Sequence, residues 1–125
     1  MLETGEPYSR ADLIAALRRL DHEGEAYLSG VPGAEFFEPQ GTAWSPAEHV
    51  RHLAKSARPF ARALGAPRIA LAFRFGLHRG PSPSFADLRD RYLAGLAGGA
   101  QAGSYAPRAK PKPSDLEAGR SEVIT

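Results

Sequence analysis

The sequence predicts an all-α fold from three observations: apolar residues recurring at helical spacing in three separate stretches, a capping signal at the start of each, and Gly and Pro clustered between them. The first helix begins at Ser9, whose hydroxyl can cap the opening turn, with Asp12 three residues on in the favourable N-terminal field. Leu13, Leu17, Leu20 and Tyr27, joined by Ile14 and Leu28, form one apolar face. Arg18, Arg19, Asp21, Glu23 and Glu25 read as a solvated face. Gly24 weakens the middle by roughly 1 kcal/mol relative to Ala, and the helix is expected to end by Ser29 or Gly30.

Residues 30–43 carry Gly and Pro breakers and read as a loop, which Phe36 and Phe37 are expected to pin to the core. The next helix, Trp44 to Leu64, has Ser45 as N-cap, Pro46 at the first helical position and Glu48 completing a capping box, and Gly65 and Pro67 stop it. Pro59 removes one backbone hydrogen bond inside it, which predicts a kink between Lys55 and Pro59. Residues 68–76 are apolar with interspersed Arg; strand and helix fit equally by periodicity, and the all-α context favours helix. Ser84 and Asp87 open another helix, with Leu88, Tyr92, Leu93 and Leu96 expected to face inward and Gly98 and Gly99 to end it. Residues 103–113 hold three prolines and read as an extended connector, after which Ser114 and Glu117 predict a last capping box and a short helix through Leu116, Val123 and Ile124.

Composition bounds the function. Hydrophobic residues at 42% and charged residues at 24% are ordinary for one folded domain. With no cysteine, disulfides, thiolate ligands and a cysteine nucleophile are excluded, which suits a reducing cytoplasm. No apolar run reaches the roughly 18 residues of a membrane span, and the N-terminus lacks a signal-peptide pattern, so a cytoplasmic protein with no membrane partner is expected. Charge is segregated. Residues 1–50 hold three Lys/Arg against nine Asp/Glu, whereas residues 51–113 hold twelve against two. An acidic first helix beside a basic second one would cancel the two fields locally. Arg68, Arg74 and Arg79 interleaved with Phe73 and Phe75 form the nucleic-acid alternative, but the phenylalanines serve as easily in a core, and no nucleic acid is expected.

Four histidines are the candidate ligands. His22 and His78 fall among charged residues and read as solvated. At 100° per residue His49, His52, Leu53, Ser56 and Phe60 share one side of the second helix, with Val50, Ala57, Ala61 and Leu64 adjoining. That wide arc is expected to be buried. His49 lies nearer its centre than His52, so helical geometry does not choose between them. Spaced i and i+3, both can reach one metal, for which imidazole suits Zn, Ni and Fe; equally, both can be hydrogen-bonded, partly buried histidines. Ser56 beside His52 has no orienting carboxylate, Glu48 is accounted for by its capping box, and no glycine-rich phosphate loop is present.

The segment WSPAEHVRHL resembles the DinB-like superfamily, whose pattern W-S-x-x-E-x-x-x-H-L matches Trp44, Ser45, Glu48, His52 and Leu53. The resemblance implies an up-down-down-up four-helix bundle with a long crossover between its second and third helices, here residues 65–113, and makes His52 the first of three histidines holding a divalent metal. The other two come from an H-x-x-x-H pair on a fourth helix, and this sequence has no such pair. Residues 1–125 thus read as a single, incomplete DinB-like domain, truncated at its C-terminal side: helices 1 and 2, a helical crossover and the start of helix 3. The implied chemistry of an intact form is thiol-dependent transfer or metal-dependent hydrolysis of a small-molecule substrate, with the metal as Lewis acid. With two histidines at most, tight metal binding by this chain alone is not expected. The alternative is a non-catalytic helical interaction or dimerisation module, with a homodimer as the expected assembly.

Overall fold

The computed structural model describes residues 5–125, and among these it is helical with no β-strand: α1 (Arg10–Ser29), α2 (Gly33–Phe36), α3 (Pro46–Leu64), α4 (Arg68–Phe75), α5 (Phe85–Ala97), a 3-10 turn at Gly103–Tyr105, and α6 (Leu116–Ile124). The all-α expectation holds. Helix starts fall where the capping chemistry puts them. Ser9, Ser45 and Ser84 each accept a hydrogen bond from the backbone N–H three residues on, while Asp12, Glu48 and Asp87 reach back to the cap backbone. Gly30, Gly65 and Gly98 close the same three helices. α3 runs through Pro59 to Leu64 without a break. Residues 68–75 are the helix expected of them, and the 30–43 loop contains the four-residue turn α2.

The last helix differs from the expectation. Asp115, not Ser114, is its cap, accepting from the backbone N–H groups of Glu117 and Ala118 at 3.1 and 3.0 Å. Glu117 has a different partner. Its carboxylate accepts from the Gly33 N–H at 2.7 Å, a bond spanning 84 residues of sequence. Arg120, one turn later, pairs with Glu117 at 2.7 Å and donates to the Val31 carbonyl. A charged acceptor on a half-buried N–H at the start of α2 is worth more than an exposed capping bond, which is why the local box is not formed.

This clasp brings α6 against α1, α2 and α3. The core it closes consists of Phe36, Phe37 and Ala47, with Leu28, Val31, Val50, Leu116, Val123 and Ile124 packed around it. Phe36 is fully buried and meets Phe37 edge to face at a centroid distance of 5.1 Å. Close approach demands glycine twice. A Cβ on Gly33 would lie 2.9 Å from the backbone of Leu116, and one on Gly119 would lie 2.3 Å from the Pro113 ring. The packing partner that α1 and α3 share is therefore α6, in place of the direct acid-against-base pairing expected of them.

Several faces expected to be interior lie outside. Leu13, Leu17, Leu20 and Tyr27 of α1, Leu53, Phe60 and Leu64 of α3, and Leu88, Tyr92, Leu93 and Leu96 of α5 are all exposed. The accessible surface is 10365 Å², where a compact monomer of 13.4 kDa has about 6,500 Å². The small core is the physical reason: among the described residues α6 is the helix that packs against α1, α2 and α3, and its nine residues are too short to cover them.

Hydrogen bonds from Ser9, through its hydroxyl and backbone N–H, hold the Asp12 carboxyl below its usual range, and those from Ser84 do the same for Asp87. Stability from a lowered carboxyl is complete above the unfolded pKa of about 4 and is lost as pH falls through the folded value. The far-UV helical signal is accordingly expected to be flat from pH 7 to 5 and to drop below about pH 4. Asp12→Asn combined with Asp87→Asn should weaken it at neutral pH and shrink the acid step, as read by circular dichroism.

Candidate functional site

The capped start of α3 positions the residues singled out by sequence. Ser45 is buried, its N–H bonds to the Glu48 carboxylate at 2.8 Å, and its hydroxyl bonds to the same oxygen at 3.1 Å. Glu48 is thereby committed to the cap. Trp44, immediately before it, lays its indole across the first two turns, with ring centroids 5.4 Å from His49 and 5.1 Å from His52. The two histidines are thus brought to one aromatic surface. They are not equivalent, because His49 is exposed and His52 half-buried. Neither sits in the interior of a bundle, and the wide buried arc expected around them is not formed: α3 buries Ala47 and leaves Leu53, Phe60 and Leu64 in solvent.

His52 has a defined partner. Its Nδ1 lies 2.8 Å from the carbonyl oxygen of Tyr105. A carbonyl only accepts, so Nδ1 carries the proton and Nε2 holds the lone pair in the neutral ring. Lys55, nearly one turn further along α3, donates to the adjacent carbonyl of Ala106 at 3.0 Å. Together they tie the 3-10 turn and the extended connector onto α3. Among the described residues, no three His, Cys, Asp or Glu side chains gather where they could hold a metal ion. His22 is exposed on α1, and His78 lies 3.3 Å from the Pro81 carbonyl in the loop after α4. Among the described residues Ser56, one turn beyond His52, has no hydrogen bond to a carboxylate.

Sequence reasoning missed Tyr105 and Lys55. Both contacts join positions about fifty residues apart through backbone carbonyls, which no side-chain pattern encodes. The same holds for the groove between α3 and the connector, where Arg51 and Arg58 face Arg108 and Lys110 across an open channel. Phe73 and Phe75, read as core candidates, are exposed. Comparison with protein-family models, with curated proteins and with solved structures gives no match.

Each tether to the connector is a single hydrogen bond, worth about 0.5–1.5 kcal/mol. His52→Ala with Lys55→Ala should release residues 105–110 while α3 stays helical. Tryptic cleavage after Arg108, timed by mass spectrometry, is expected to speed up roughly tenfold. An unchanged cleavage rate would mean that the connector is held by other contacts.

Proposed function

We propose that this chain is a non-catalytic helical interaction module that pairs with a second copy of itself through the apolar faces of α1 and α5. The observation that carries the reading is the exposure of Leu13, Leu17 and Leu20 on α1 and of Leu88, Tyr92, Leu93 and Leu96 on α5, two stripes spaced for burial and left uncovered. Their charge favours self-pairing. α1 carries three basic and four acidic residues and α5 carries two of each, so two copies meet without net repulsion.

Sedimentation velocity at micromolar concentration is expected to give a dimer. Leu17→Asp with Leu93→Asp should return a monomer of unchanged helical content, since both side chains are exposed. A wild-type chain that stays monomeric across the concentration range removes the reading.

A second reading keeps the DinB-like resemblance, with His52 as a ligand to a divalent metal and metal-dependent transfer or hydrolysis as the chemistry. What supports it is the Tyr105 carbonyl on His52 Nδ1, the outer-shell arrangement that orients a ligating imidazole and leaves Nε2 free to bind. The donor set does not fit a resident metal. His49 and His52 supply two ligands where zinc sites use three or four, and no carboxylate joins them. No catalytic step follows from two imidazoles alone. Metal analysis of the purified chain and of His52→Ala is expected to show equal, substoichiometric content; one equivalent of metal lost on substitution would restore the metal reading.

A further inference from the structure

From His49 to Ala86 the chain contains no Asp or Glu and seven cations: Arg51, Lys55, Arg58, Arg62, Arg68, Arg74 and Arg79. The same segment carries the most exposed large apolar side chains of the described residues. Leu64 is 88% exposed, Ile69 81% and Phe73 96%, with Phe60, Phe75 and Leu77 all above 70%. Phe60, Leu71, Phe75 and Leu77 line an open, apolar groove of about 460 Å³ between α3 and α4. Arg74 stands over the Phe75 ring at 5.3 Å from its centroid. On α3, Arg51, Lys55, Arg58 and Arg62 follow one another at spacings of four, three and four residues and form one stripe, with Leu53, Phe60 and Leu64 on the opposite side. Among the described residues Arg62 and Arg68 make no ion pair, whereas Arg51 and Arg58 share the lining of a cavity with Glu122 of α6 and lie outside this surface.

The charge of the rim selects the occupant. A second copy docking through this face would set Arg68, Arg74 and Arg79 of each chain against the other's, with no carboxylate between His49 and Ala86 to offset them, which repels. A nucleic acid meets the cations but offers no apolar cover for Leu64 and Ile69. An anionic lipid surface does both, taking apolar side chains into the boundary of the acyl region and placing negative headgroups around them. We propose that the end of α3, α4 and residues 76–79 form a peripheral binding surface for anionic membranes. The binding is superficial: no helix of the described residues is long and apolar enough to cross a bilayer. This departs from the expectation of no membrane partner, which rested on the missing span. It also goes beyond the self-pairing reading, since α1 and α5 remain free on the bound chain.

The test is co-sedimentation of the full chain with vesicles of phosphatidylcholine alone and of phosphatidylcholine with phosphatidylserine. Binding to the anionic vesicles only, weakening as salt rises, is the expected result. Arg68→Gln with Arg74→Gln should lower the partition coefficient about fivefold per cation. Ile69→Ser with Phe73→Ser should lower it by about tenfold or more, with the circular dichroism spectrum unchanged because both side chains already face solvent. Three results would overturn the proposal: a folded chain that ignores anionic vesicles, equal binding to neutral and anionic vesicles, or capture of a single-stranded oligonucleotide without vesicle binding. Loss of the wild-type dimer in Ile69→Ser with Phe73→Ser would overturn it too, by assigning this face to self-pairing. Loss of dimer only in the Leu17→Asp, Leu93→Asp variant leaves the membrane surface standing, so the two readings fail separately.

Discussion

The bond between the Glu117 carboxylate and the Gly33 N–H, braced by Arg120 on the Val31 carbonyl, is the constraint on which the rest of the structure depends. It joins the first turn of α6 to the first turn of α2 and so sets the position of Phe36, the one large side chain fully buried among the described residues. Polar atoms at a crowded junction have strict geometry. With Gly33 and Gly119 allowing backbone approach that any Cβ would block, the clasp admits one register of α6 against the 30–37 turn. Arg120 bears a cost in this arrangement, because its Nε is buried without a partner. The paired Nη atoms offset that loss.

Outside the clasp the long-range ties are few, chiefly His52 and Lys55 to the connector and Lys112 to Glu38. α3 joins the core through Ala47 and Val50 near its start, shares a cavity with α6 through Arg51, Ala54 and Arg58, and leaves Phe60 and Leu64 exposed at its end. α5 has a complete capping box and a proper apolar stripe, yet buries no residue. A stripe of that kind states that a helix has something to cover, and not which surface will cover it. Two kinds of exposed face result: the stripes of α1 and α5, where acidic and basic residues nearly balance, and the face of α4 with residues 76–79, where Arg68, Arg74 and Arg79 stand among apolar side chains without a carboxylate in the same segment.

The histidines show the same division at the scale of a site. The Trp44 indole lies against both His49 and His52, which share one side of α3 by helical spacing, and that spacing was legible from WSPAEHVRHL. The protonated Nδ1 of His52 was not. It follows from the Tyr105 carbonyl, delivered by a connector whose prolines restrict its course without announcing its destination. Lys55 on Ala106 is the same case. Backbone acceptors are identical at every residue, so a contact made to one leaves no trace in the sequence.

What the sequence by itself determined is where α1, α3 and α5 begin and end. Ser9, Ser45 and Ser84 with their acidic partners, and Gly30, Gly65 and Gly98, act within one turn of their own positions, so their chemistry is complete without the rest of the chain. Only the tertiary structure decided which faces are covered. It moved the cap of α6 from Ser114 to Asp115 by giving Glu117 a partner 84 residues away, and it left the leucines of α1 and α5 in solvent. Burial is a property of two surfaces together, and a helix carries only one of them.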